Sequence, residues 1–161
     1  MKRIGVLSDT HLYSDPQPLP EKMTDDFKNV DLILHAGDIT SLDIIDYLGT
    51  LAEIIAVKGN MDSPQVKEAL PEKRMINVEG VTIGLIHGYG FPVNLIDKVR
   101  KDFPKNINAI VFGHSHAAVN RTVDGILFFN PGSPTDKVFA KFNSYGILTV
   151  DGGIRGEIIR I

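Results

Sequence analysis

Five short polar clusters carry the residue types that can do chemistry: Asp9-Thr10-His11, Gly37-Asp38, Gly59-Asn60-Met61-Asp62, His87-Gly88 and Gly113-His114-Ser115-His116. Four of the five histidines fall inside them, and the fifth, His35, lies three residues before Asp38. With no cysteine in the chain, thiolate zinc sites, disulfides and a cysteine nucleophile are excluded. What remains is a mixed oxygen and imidazole donor set. It suits Mn, Fe, Zn, Ni or Co better than Mg or Ca, which prefer oxygen alone. Asp9 and His11, two apart, can turn toward one ion where a strand ends and its pleat breaks down. His114 and His116 share that spacing and can each serve a different ion. A carboxylate can bridge two ions, and Asp38 is the best placed to do so.

Such clusters act together only if the elements before them end at one place. Arg3 to Ser8, Asp31 to His35 and Glu53 to Lys58 read as buried strands, short and rich in Ile, Val and Leu. Between the second and third, Ser41 is placed to cap a helix that buries Leu42, Ile45 and Leu48. Strand, helix and strand in that order imply parallel pairing and a right-handed crossover. In the second half, Glu79-Gly80, Asp124-Gly125 and Asp151-Gly152-Gly153 each separate two apolar runs and predict hairpins. A helix is expected over Val93 to Lys101, before a strand at Ala109 to Phe112. Tyr13 to Lys22, with Pro16, Pro18 and Pro20, reads as a surface loop. In open α/β sheets ligands collect at the carboxyl ends of strands, where all five clusters stand. Gly37, Gly59, Gly88 and Gly113 permit tight turns and close backbone approach there.

Composition bounds the rest. The 161 residues, 43% hydrophobic and 23% charged, fit one domain spanning 1–161. A net charge of -3 argues against a general nucleic-acid or membrane-surface binder. The apolar run after Met1 is too short for a signal peptide or a membrane span, so the default expectation is a cytoplasmic protein.

D-x-H, G-D, G-N-x-D, H-G and G-H-x-H in this order resemble the calcineurin-like metallophosphoesterase superfamily. The short length and Asn130-Pro131-Gly132-Ser133 resemble its small bacterial and archaeal phosphodiesterase branch, which also contains the retromer small subunit of eukaryotes. The motifs run from residue 9 to 133. The fold this resemblance implies is a four-layer αββα sandwich with two mixed β-sheets. It implies a first metal held by Asp9, His11, Asp38 and His116, and a second held by Asn60, His87 and His114 with Asp38 bridging. Manganese is the first choice for both ions, with Ni, Co, Fe or Zn as alternatives. The expected activity is that of a phosphodiesterase using a metal-bridging hydroxide for in-line attack on phosphorus. Asp38, Asn60 and His87 would act catalytically through that hydroxide and through phosphate binding. The expected partner is a small phosphate ester, nucleotide-related in one version, without extended nucleic acid. Relatives of this size are often oligomers, which leaves a homo-oligomer open.

Two departures from the family pattern stand out. Met61 replaces the histidine that often follows the G-N asparagine, and it can neither donate a proton nor carry charge. Esters with poor leaving groups are therefore poor candidates. Tyr89 stands where relatives often carry another histidine, and with Phe91 it is expected to form a pocket wall. Asp62 is expected to accept a hydrogen bond from His11 or another ligand. His35 reads as a satisfied histidine near the core. Asn60 is also a type that caps helices, here ahead of Pro64, although ligation is the favoured reading. Asn130 to Pro134 is a turn by chemistry alone, and orientation of a ligand by Asn130 or Ser133 is the minority reading. The alternatives are a phosphomonoesterase on the same site, a protein-binding scaffold like the retromer subunit, and a nuclease for short or cyclic nucleotides.

Overall fold

The computed structural model describes residues 1–12 and 19–161. Its elements run β1 (Lys2–Leu7), α1 (Glu21–Phe27), β2 (Leu32–His35), α2 (Leu42–Gly49), β3 (Glu53–Ala56), α3 (Pro64–Ala69), β4 (Lys73–Val78), β5 (Val81–Ile86), α4 (Leu95–Arg100), β6 (Ala109–Val111), β7 (Val119–Val123), β8 (Ile126–Asn130), β9 (Ser144–Val150) and β10 (Ile154–Arg160). They form two mixed five-stranded sheets, ordered β10-β9-β1-β2-β3 and β4-β5-β6-β8-β7. In the first sheet β1, β2 and β3 are parallel while β9 and β10 pair antiparallel. In the second, β5, β6 and β8 are parallel and β4 and β7 form antiparallel edges. The three predicted hairpins are β4-β5, β7-β8 and β9-β10.

Alternation along each strand builds the layers. Ile4, Val6, Leu32, Leu34, Ile83, Leu85, Val111, Leu127, Phe129 and Leu148 share one cluster between the sheets. Phe129 reaches across it: a Cβ on Gly146 or Gly156 would come within 2.3 Å or 2.5 Å of its ring. On the outer face of the first sheet, Leu7, Ile33 and Ile147 pack on Met23 and Phe27 of α1 and Leu48 of α2. Outside the second sheet, Ile110 and Phe128 pack on Leu95 and Val99 of α4. Helices outside two facing sheets make the αββα sandwich.

The helices differ most from expectation. Ser41 caps α2 by accepting from the Asp43 N–H, as predicted, but only Leu48 becomes fully buried while Leu42 and Ile45 remain partly covered. The loop expected over Tyr13 to Lys22 gives way at Glu21 to α1, which buries Met23, Thr24 and Phe27 behind Pro20; residues 13–18 lie outside the described part. The cap ahead of Pro64 is Ser63, whose Oγ accepts from the Val66 N–H, and not Asn60. Asn60 is thereby released from a capping role. Among the described residues no helix is long and apolar enough to cross a membrane.

Candidate metal centre

Six parallel strands, three from each sheet, deliver their carboxyl ends to one cleft. Asp9 follows β1, Asp38 follows β2, Asn60 follows β3, His87 follows β5 and His114 follows β6. All seven predicted ligands meet there. Asp9 Oδ1 lies 3.4 Å from His116 Nε2 and 3.9 Å from the Nε2 atoms of His11 and His87. Asp38 Oδ2 lies 3.6 Å from His11 Nε2 and 3.3 Å from His87 Nε2. Asn60 Oδ1 stands 3.1 Å from both His87 Nε2 and His114 Nδ1. Asp9 with His11 and His116, and Asp9 with Asp38 and His87, each form a group able to hold a metal ion.

The outward sides of these residues decide what faces inward. His87 donates its Nδ1–H to Ala36 O at 2.7 Å, and His114 donates its Nε2–H to Gly90 O at 2.6 Å. His116 donates its Nδ1–H to Asp136 Oδ2 at 2.5 Å. In its neutral form each then presents the opposite ring nitrogen to the cleft as a lone pair, the arrangement that fixes a tautomer for metal binding. Asp9 Oδ2 accepts from Ser8 Oγ and the His114 N–H, while its Oδ1 is buried without a hydrogen-bond partner. Lone pairs facing lone pairs repel unless a cation lies among them, so the donor set fits divalent metal.

The charges respond accordingly. Burial pushes the Asp9 carboxyl above the usual range. Burial opposes ionisation of Asp38, but His87 and the Met61 N–H outweigh it and hold that carboxyl low. Burial also opposes a charged His87, yet Asp38 and Asp9 raise it to about 8. Protons thus collect where a cation is required, and metal binding would displace them.

The backbone is bent to reach this geometry. Asp9, His11, Asp38, His114 and His116 all have positive φ, between 45° and 71°. Such conformations are uncommon outside glycine and cluster at functional sites. Close approach by two glycines lets the loops interlock. A Cβ on Gly59 would sit 2.1 Å from Asp38 Oδ1, and one on Gly113 1.8 Å from Ser8 Oγ.

Several supporting residues differ from their expected roles. Asp62 touches no ligand side chain; it accepts from the N–H groups of Ile39, Thr40 and Gly59, each at 2.6 Å. It therefore clamps the loop after β2 to the loop after β3. Asn130 and Ser133, the minority reading, do support the site. Asn130 donates to Gly113 O and Ser115 Oγ, and Ser133 donates to Asp9 O at 2.7 Å. His35 is a satisfied core histidine: its Nδ1 accepts from the Gly37 N–H and its Nε2 meets Thr10 Oγ1 at 3.1 Å. Burial depresses its pKa to about 3. Tyr89 walls a smaller cavity, about 290 Å³, that reaches Asn60 and His87. Phe91 stands exposed at the surface.

Asp136 is the support that sequence reasoning missed. Besides His116, it accepts from the N–H groups of Val138, Phe139 and Ala140. Burial opposes its charge, but these four donors hold its pKa at about 2. A single aspartate twenty residues beyond His116 gives no local signal; only the turn at Ser133-Pro134 hints that the chain returns.

The cleft in front of the centre has a volume of about 580 Å³ and includes Leu12, Met61, Lys137 and Phe139 in its walls. Comparison with known proteins gives the family and the fold. The model of the calcineurin-like phosphoesterase superfamily domain matches residues 1–153. A probable metallophosphoesterase of Methanothermobacter thermautotrophicus is 38% identical over 159 residues, covering 98% of this chain and 91% of that protein. A phosphodiesterase of Methanocaldococcus jannaschii is 30% identical over 144 residues, with 81% and 82% covered. The crystal structure of zinc-complexed Vps29 from Entamoeba histolytica shares the fold, with a TM-score of 0.73 at 24% identity and 98% of each chain covered.

Proposed function

This chain belongs to the calcineurin-like phosphoesterase superfamily, and from that premise we propose that one domain spanning 1–161 hydrolyses phosphodiesters with two divalent metal ions. The observation that carries the reading is Asp9 Oδ1, buried without a hydrogen-bond partner and ringed by imidazole nitrogens. Asp9, His11, Asp38 and His116 would hold one ion; Asn60, His87 and His114 would hold the other with Asp38 between them. Asp38 Oδ1 accepts from the Met61 N–H at 2.8 Å, which holds the carboxylate with Oδ2 toward His11 and His87. When bound, the ions supply Lewis acidity and an acidified water, since one metal can lower the pKa of its water to about 7.

The chain's own residues then set what can react. His87, His114 and His116 are locked by their outward hydrogen bonds, so their inward nitrogens need no reorganisation. Lys137 adds a positive charge to the cleft wall. Met61, 52% exposed at the cleft, cannot protonate a departing alkoxide. Esters with stabilised leaving groups, aryl or nucleotide-related, are favoured.

The test reconstitutes metal-stripped protein with Mn, Ni, Co or Zn and compares bis(4-nitrophenyl) phosphate with 4-nitrophenyl phosphate. The diester is expected to turn over faster. Asp38→Ala should lose more than about a hundredfold while keeping its circular dichroism, because changing even a ligand's partner costs 10–100-fold. Full activity in Asp38→Ala would sink the proposal. Faster monoester turnover would transfer the site to a phosphomonoesterase, and metal binding without hydrolysis would support a protein-binding scaffold.

A further inference from the structure

Phe139 is 79% exposed, although burying a phenyl group is worth roughly 1.5–3 kcal/mol. It does not stand in a loose segment. Asp136 accepts from the N–H groups of Val138, Phe139 and Ala140, and Asn143 donates to Asp136 O at 2.6 Å. The Phe139 ring meets His116 edge to face, with centroids 5.9 Å apart. A solvent-facing aromatic with a hydrogen-bonded backbone thus stands beside His116 and forms part of the wall of the cleft. Met61 and Leu12, in the same wall, add apolar surface.

We propose that Phe139 is the specificity shelf of this site, on which a nucleobase stacks while the nucleotide's phosphate lies at the metal centre. The inference rests on the phosphodiesterase reading and names its substrate class: esters of nucleotides. Three features select this occupant. The shelf adjoins the phosphate position, so one molecule with a planar ring and a phosphate spans both. A ribose separates base from phosphate much as His116 separates Phe139 from the ions. A flat aromatic surface without directional donors suits any base, because every base has a π-face. The hydrogen bonds to Asp136 add to this, since an aromatic whose backbone is already tied down loses less freedom on binding.

Binding distinguishes the shelf from the hydrolytic reading. On manganese-loaded protein, calorimetry would compare AMP with ribose 5-phosphate, which has an anomeric hydroxyl in place of the base. The native chain is expected to bind AMP about tenfold more tightly, and Phe139→Ala to reduce that preference to within about twofold. Phe139→Tyr should restore it, since a tyrosine ring stacks equally well. Ribose 5-phosphate should bind all three proteins alike, which shows that the centre is intact. Equal affinity for the two ligands in the native chain, or a preference that survives Phe139→Ala, overturns the shelf. Hydrolysis of bis(4-nitrophenyl) phosphate is measured on the same samples. A base preference without hydrolysis keeps the shelf and defeats the phosphodiesterase reading; hydrolysis without a base preference does the reverse.

Discussion

Phe129 and Asp9 are both fully buried, yet their surroundings are opposite. Phe129 fills the space between the sheets, and the two glycines facing it have no side chain to compete for that space. Asp9 places one oxygen where no hydrogen bond from the described residues reaches it. The first arrangement is complete as the chain folds alone. The second is complete only with a cation, and its backbone is strained around it. Stability therefore resides between the sheets, and the strand ends carry a standing cost that ligand binding offsets.

The largest expected effect tests the sheet interior. Phe129→Ala should destabilise the protein by about 3–5 kcal/mol in urea unfolding, with the same loss in the presence and absence of manganese. A loss that disappears on adding metal would show that the two regions are not separate.

His35 lies on the border between them, and its effect is set by pH. The native chain keeps it neutral, with a pKa of about 3, while the unfolded chain protonates it near 6.5. Between those values the unfolded state binds more protons, so stability rises with pH by about 1.4 kcal/mol per unit and is lost on acidification. Urea midpoints from pH 6.5 down to 4 should show this slope flattened in His35→Gln. Parallel slopes in the two proteins would remove His35 from the account.

The smallest effect has the opposite sign. Asp9→Asn can turn an amide N–H toward the acceptors that surround Oδ1, and should raise the stability of metal-free protein by about 1–2 kcal/mol. The native chain is expected to rise in melting temperature on adding manganese, and the same variant to lose that rise. If metal-free Asp9→Asn is less stable than its parent, the strand ends are not strained in the way described.

How far these two regions can be read from sequence also differs. The sheet interior was legible because period-two alternation and Gly-containing turns are local signals. The three hairpins and the parallel first half follow from them. The candidate donors that converge at the strand ends stood out by type and order, since Asp, Asn and His there are scarce enough to notice. Their supports were not. Asp62 acts on Ile39 and Thr40, some twenty residues away in sequence, through contacts that exist only after β2 and β3 pair. Asp136 reaches His116 only because β8 carries the chain back beside β6. Positive φ at five non-glycine ligands leaves no mark in composition, although Asp and His tolerate it better than most. The helix α1 was missed for another reason. Pro16, Pro18 and Pro20 suggested a loop, whereas Pro20 marks where the helix begins, with Met23 and Phe27 four apart on its buried side.

The Asp136 carboxylate holds both the ring of His116 and the backbone that carries Phe139. If His116 binds the metal and Phe139 the base, as proposed, metal affinity and substrate choice would be mechanically joined in this chain. A change in the length or path of that loop would tilt a metal-binding ring, so a descendant that altered it to accept a new substrate would alter its metal in the same step. On that proposal, side-chain exchange at 137, 138 and 139 with Asp136 retained would change specificity and leave the His116 ring where it is.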